Sequence, residues 1–429
     1  MLIMKMCQAP SGMISSRPMT KDHTARRNLD VLVIGAGPAG FMAAISAARS
    51  GACVLLLEQM PKPGLKLLAT GGGRCNITNT LPPDQFMDAF GRSGRFMQPA
   101  LHLLDSERLR AFLAEHGVPT SSPDGLHVYP TSNKSSDVLN ALLKACDMAG
   151  VERRTNCAVR SLIIKDGSIS GVETADAIIN AGTVIMACGG RSYPELGATG
   201  TGYELARAVG HKIIDPLPIL VSLHTREPWP RDCTGISLPN VRAWIDLPRQ
   251  SKSGCTGDLL FTHRGVSGPV ILDLSREVVP LLKKQAQVPI RIALKSNIRV
   301  ERWRAGDGSR VVRKLLSEQL PASLADTLLT IAGIPKHTGA ANLKREQEEA
   351  LSELLHALPL TITSAGGFDE AIVTRGGVSL REVDPKTLES RLIKNLFFAG
   401  EILDLDGPCG GFNLQWAFSS GALAGTQSG

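Results

Sequence analysis

The chain has 429 residues, 43% hydrophobic and 20% charged, enough for several cores without covalent staples and unlike a disordered or fibrous composition. Its nine cysteines form no C-x-x-C pair and no ladder of even spacings, which excludes a disulfide framework and a zinc site and points to a reducing, cytoplasmic setting. The net charge of +7 is localised: residues 226–314 hold 17 Lys/Arg against 8 Asp/Glu. That excess suggests an anionic partner, while no apolar run reaches the length of a membrane span.

In chain order, residues 1–28 read as a flexible tail without the apolar stretch of a signal peptide. Residues 30–34 (DVLVI) form a short β-branched apolar run that predicts a buried parallel strand. Residues 38–50 carry Ala, Met and Ile at helical density and stop at Gly51. A second strand over residues 53–57 ends in Glu58, completing a β-α-β unit. Residues 183–187 and 396–399 are further apolar runs, ending in Gly189-Gly190 and Gly400. Both have the form of strands that deliver a loop to a ligand at the carboxyl edge of a sheet. Between them, residues 217–274 alternate short apolar stretches with Pro and Gly, predicting a small β domain. Residues 275–358 have helix-like spacing.

The strongest motif is Gly35-Ala36-Gly37-Pro38-Ala39-Gly40, a G-x-G-x-x-G that follows a strand and opens a helix. Gly35 allows the tight turn, Gly37 lets a pyrophosphate approach the backbone, and Gly40 lets the helix pack on the strand. The helix N-terminus supplies unsatisfied N–H groups for phosphate. Glu58, followed by Gln59, is placed to accept from adenosine ribose hydroxyls. This fingerprint does not distinguish FAD from NAD. The next segment, Lys62 to Lys66 leading into Thr70-Gly71-Gly72-Gly73-Arg74-Cys75-Asn76-Ile77-Thr78-Asn79, brings backbone close to a flat ring with polar side chains around it.

With that string the chain resembles the BaiN/RdsA-like flavoproteins, also described as NAD(P)/FAD-dependent or aminoacetone-oxidase-type. The resemblance continues through Ala187-Cys188-Gly189-Gly190, the Gly197-Ala198-Thr199-Gly200-Thr201-Gly202 turn and residues 260–269 (LFTHRGVSGP). It closes with residues 399–404 (AGEILD) and 410–415 (GGFNLQ). One departure is Thr201, where many relatives carry Asp. The resemblance implies an α/β fold: a glutathione-reductase-like FAD-binding Rossmann domain (29–194 and 366–429) interrupted by a β-barrel-like insertion (195–274 and 359–365) and a helical subdomain (275–358). It implies that Gly35, Gly37, Pro38, Ala39, Gly40, Glu58 and Gln59 hold the ADP half of FAD. Lys66, Gly72, Gly73, Arg74 and Asn76 lie along the pyrophosphate and flavin, with Gly189 and Gly190 in the neighbouring loop. Gly400 and Glu401 place an acid near the ribityl or pyrophosphate, and Gly411, Asn413 and Leu414 bring N–H groups to the pyrimidine edge of the flavin.

A second dinucleotide fingerprint and a C-x-x-x-x-C dithiol are both absent from the sequence. NAD(P)H is therefore expected to dock transiently over the flavin, unless the substrate itself reduces it. Cys75 and Cys409, in the two flavin-side loops, are either proton donors, a redox pair or small packing residues. His263 and Arg264 are candidates to bind or polarise a substrate carbonyl. For the substrate, the resemblance implies uridine in 23S rRNA, reduced to dihydrouridine, with the basic segment 226–314 gripping rRNA or a ribosome precursor. It also admits a small conjugated enone or amine-type molecule, for which an apolar pocket matters more than charge. A non-catalytic FAD-binding assembly protein is the remaining alternative.

Overall fold

The computed structural model describes residues 29–248, 254–295, 297–306 and 308–429. The expected tail, residues 1–28, lies outside the described residues. The central element is strand β1 (Val31–Ile34), fully apolar and covered on both faces. The chain then turns into helix α1 (Pro38–Arg49), with Pro at its first position, and returns as β2 (Val54–Leu57). β1 sits in a five-stranded parallel sheet in the order Leu396–Phe398, Thr183–Met186, β1, β2, Glu152–Arg154. The two expected outer runs are thus strands of the same sheet, and their carboxyl ends meet at one edge.

The last helix, Phe412–Ser428, packs along α1. A Cβ at Gly421 would lie 2.2 Å from the Ala39 carbonyl oxygen, and one at Gly425 would lie 2.2 Å from that of Ala43. One at Gly429 would come within 3.1 Å of the Ala47 oxygen. Glycines every four residues therefore face alanines every four residues, in ascending order on both helices. The two helices run parallel with their backbones in contact.

The interruption is a closed six-stranded barrel in the order Leu223–Thr225, Gly265–Ser267, Cys255–Thr262, Ser237–Ile245, Val288–Ala293, Leu358–Ala365. Helix Pro269–Leu282 packs against the barrel strands, burying Val270, Ile271, Leu274 and Val278 with them. Three features depart from the expected layout. Val288–Ala293 is a barrel strand inside the stretch read as helical; its alternation of buried and half-buried residues spans only six positions, too few to stand out against helical flanks. Helices Val312–Ser317, Ala322–Ile331 and Arg345–Ala357 share one apolar core with the barrel through Leu316, Leu328 and Leu355. At the other boundary, Tyr203 and Ala206 of helix Thr201–Ala208 pack into the core around β1. The crossing to the barrel comes later, at the antiparallel pair Ile213–Ile219 and Val373–Val378.

Overpacking a closely fitted interior costs about 1–3 kcal/mol. Gly425→Leu is therefore expected to lower stability by about that amount in urea unfolding, whereas Gln427→Ala, on the exposed side of the same helix, changes it by less than about 0.5 kcal/mol.

Candidate functional site

A cavity of about 480 Å³ runs along the carboxyl edge of the parallel sheet. Both parallel helices aim their N-termini at it: Pro38 at the start of α1 and the Gly411 turn before Phe412 line its wall. Neither helix has an acidic residue in its first turn. The register of Gly421 on Ala39 places the start of the last helix roughly 12 Å beyond that of α1, at 1.5 Å per residue. The cavity thus meets two positive helix ends at different depths, suited to an elongated anionic ligand.

At the first end, Gly35 has φ +101°, and an added Cβ would lie 2.5 Å from the Ala187 carbonyl oxygen. Gly40 is the packing glycine, because its Cβ would overlap the Gly35 carbonyl at 1.7 Å. Gly37 differs. A Cβ there meets nothing within 4 Å, so the absent side chain leaves room in the cavity that protein atoms do not fill. Glu58 lines the same end and accepts from the N–H groups of Ala36 (2.8 Å) and Met60 (2.9 Å), which ties the first turn to the end of β2. Gln59 Nε2 donates to the Gly197 carbonyl at 2.6 Å.

Midway, Lys66 Nζ and Glu401 Oε2 form an ion pair at 2.6 Å on the cavity wall, both side chains largely buried. Glu401 Oε1 also accepts from Thr374 N–H at 2.8 Å. Gly189 lines the cavity; Gly190 packs instead against Thr374 and Glu401. Gly400 lies against Ala39, behind the wall.

At the far end, the Gly-rich loop divides. Gly71 and Asn76 line the cavity, whereas Gly72, Gly73 and Arg74 do not. The Arg74 guanidinium sits 5.3 Å from the Tyr129 ring centre. The Asn76 amide, oriented to donate to the Thr78 and Val128 carbonyls, accepts from Gly411 N–H at 3.3 Å. Gly411 and Leu414 line the cavity directly. Asn413 lines it too, but its amide is spent on shaping the preceding loop: Oδ1 accepts from Gly407 N–H (2.8 Å) and Nδ2 donates to the Gly407 carbonyl (2.9 Å).

The candidate chemical groups separate from one another. Cys75 is fully buried and does not line the cavity; burial pushes its thiol up to about 11. Cys409 does line it, with its thiol raised well above the usual range by burial and then by the Asp273 carboxylate, which accepts from Cys409 N–H at 2.7 Å. His263 and Arg264 occupy an exposed hairpin tip away from the cavity, where Arg264 pairs with Glu370 at 3.6 Å. Side chains that the motifs do not announce also line the cavity: His127 and Tyr129 of strand His127–Pro130, and an apolar rim of Leu220, Pro269, Ile372 and Val373. An alternating H-V-Y-P strand matches no ligand-binding pattern, so only its pairing with Thr78–Asn79 brings it here.

The basic segment is also altered by folding. Arg264, Arg276, Arg291, Arg304, Arg310 and Arg313 pair with Glu370, Asp406, Glu353, Glu348, Glu318 and Asp326, six carboxylates from outside the segment. Its charge excess along the sequence is therefore partly neutralised in space.

Compared with known proteins, the chain matches the HI0933-like protein Rossmann domain family over residues 29–427. It is 34% identical to a 3-dehydro-bile acid delta(4,6)-reductase of Clostridium scindens, across 92% of this chain and 97% of that protein. It is 29% identical to a ribosomal RNA dihydrouridine synthase of Haemophilus influenzae, across 91% and 96%. Among solved structures, a flavocytochrome c3 fumarate reductase superposes with a TM-score of 0.51 at 18% identity, covering 94% of this chain and 78% of that one. The chain belongs to the HI0933-like Rossmann family and is an oxidoreductase of that family.

Proposed function

We propose that the chain binds FAD in this cavity and uses NAD(P)H to reduce a carbon–carbon double bond conjugated to a carbonyl in a small, largely apolar molecule. The observation that carries this reading is the pairing of two helix N-termini with an apolar rim at the deeper one. The shallower end suits a pyrophosphate held by Gly35, Gly37, Pro38 and Ala39, with Glu58 and Gln59 toward the adenosine. Lys66 and Glu401 fall between, and Asn76, Gly411, Asn413 and Leu414 surround the flavin end. Bound FAD would supply hydride transfer between a nicotinamide and the substrate carbon. The chain's own work is to hold the ring, exclude water and place a proton. The likeness to a bile acid reductase agrees with an apolar rim, where Leu220, Pro269, Ile372 and Val373 would contact the substrate.

A second reading is uridine reduction in ribosomal RNA, which the likeness to the dihydrouridine synthases favours. Uracil carries the same conjugated double bond, so the cavity chemistry is shared. The RNA reading additionally needs phosphate-binding cations, and six arginines of the basic segment are already paired within the fold.

Anaerobic NADPH or NADH is expected to bleach the visible absorbance of the FAD-loaded chain, and cyclohexenone or testosterone to restore it. If neither nicotinamide bleaches the flavin, the reductase reading is wrong. If reoxidation by both enones is absent and deletion of the gene removes a dihydrouridine from 23S rRNA, the RNA reading replaces the small-molecule one. Gly37→Val tests the cavity itself. It should leave thermal unfolding of the FAD-free chain within about 0.5 kcal/mol of wild type, since its Cβ meets no protein atom. It should nevertheless weaken FAD binding by at least about tenfold, because the side chain occupies the approach of the pyrophosphate. Unchanged FAD affinity would mean that the cofactor lies elsewhere.

A further inference from the structure

Saturating a conjugated double bond adds one hydrogen with an electron pair at one carbon and a proton at the other. In the reading above, the nicotinamide is oxidised, the double bond is reduced, and the proton needs a donor beside the second carbon. The thiols are poorly suited: Cys75 stands behind the wall, and Cys409 holds its proton tightly. His263 stands on an exposed hairpin tip outside the cavity wall.

His127 has the required geometry. Its strand pairs with Thr78–Asn79, so the imidazole reaches the cavity beside the loop that precedes the last helix. A Cβ added at Gly410 would lie 2.9 Å from Nε2, which places that nitrogen at the flavin end. Nε2 has no hydrogen-bond partner among the described residues, whereas Nδ1 contacts Asp124 Oδ2 at 2.5 Å. Asp124 is itself fixed by the N–H groups of Leu126 (2.9 Å) and His127 (2.8 Å), both donating to Oδ1. One ring nitrogen is thus anchored to a carboxylate, leaving the other directed to the cavity. The Asp124 side chain is 52% exposed, so the ring can recover a proton from water.

We propose that His127 donates the proton to the substrate carbon that does not receive the hydride, with Asp124 as its positioning residue. This rests on the flavin reading of the cavity. After transfer, the imidazole is neutral and the substrate carries both new C–H bonds; solvent then returns the proton. Asn76, Tyr129, Cys409 and Asn413 are other polar groups lining this end, and Asp273, which accepts from Cys409 N–H, is close enough to feel the charge of His127.

The test separates the two half-reactions of the FAD-loaded chain. In His127→Gln, NADPH should bleach the flavin within about threefold of the wild-type rate, while anaerobic reoxidation by cyclohexenone slows by at least about a hundredfold. Asp124→Asn keeps the Oδ1 acceptor of the turn but presents an N–H to the ring, and should slow only reoxidation, with a larger solvent deuterium isotope effect. An independent readout is carbethoxylation by diethylpyrocarbonate, followed by mass spectrometry. FAD should slow modification of His127 by at least about tenfold relative to the FAD-free chain and leave the exposed His263 unaffected. Wild-type reoxidation rates in His127→Gln, or equal labelling of His127 with and without FAD, would overturn the proposal alone. A wild-type flavin that NADPH cannot reduce, or that cyclohexenone cannot reoxidise, would overturn the enone-reductase reading and this proposal with it.

Discussion

The contact between the first and last helices governs the rest of the structure. Three alanines on α1 and three glycines near the chain end bring the two backbones together with no side chain between them. Because the helices are parallel, both N-termini point toward the same sheet edge. The last helix also extends farther past the contact than α1 does. A single cavity consequently receives two positive ends at two depths, which one β-α-β unit cannot supply. A bulky residue at Gly421 or Gly425 would therefore affect the site as well as the core.

Charge pairing then locks the insertion onto that frame. Asp406, in the loop before the last helix, receives Arg375 from the connecting strand at 2.8 Å and Arg276 from the barrel-associated helix at 3.0 Å. Its side chain is only 9% exposed. Removing one partner of such a cluster leaves a buried charge incompletely compensated, which costs more than breaking a surface pair. The Lys66–Glu401 pair makes a similar connection within the cavity wall, joining segments from opposite ends of the chain. The rim residues from the connecting strands and the insertion are held over the far end of the cavity by these links.

The cavity also shows how a fingerprint residue can contribute without touching a ligand. Gly40 and Gly400 are required by close packing, and Asn413 by the loop it shapes. Gly72, Gly73 and Arg74 belong to the most distinctive string in the sequence, yet stand outside the cavity wall. Their neighbours Gly71 and Asn76 form that wall. A motif records what a loop needs in order to adopt its path, which includes residues facing away from the cavity.

What the sequence determined by itself was local: the strand–glycine–helix unit, Glu58 at the end of β2, and the apolar runs that became sheet strands. These were legible because period, turn chemistry and short-range spacing specify them without distant partners. The barrel strand Val288–Ala293 was not, since a six-residue alternation cannot declare its sheet until its neighbours are known. Only the tertiary structure brought His127 to the far end of the cavity, through a pairing with Thr78–Asn79 about fifty residues earlier, and left His263 at the tip of a local hairpin outside the cavity wall. It likewise paired the arginines of the basic segment with carboxylates beyond it, because charges neutralise by distance in space and not by position in sequence.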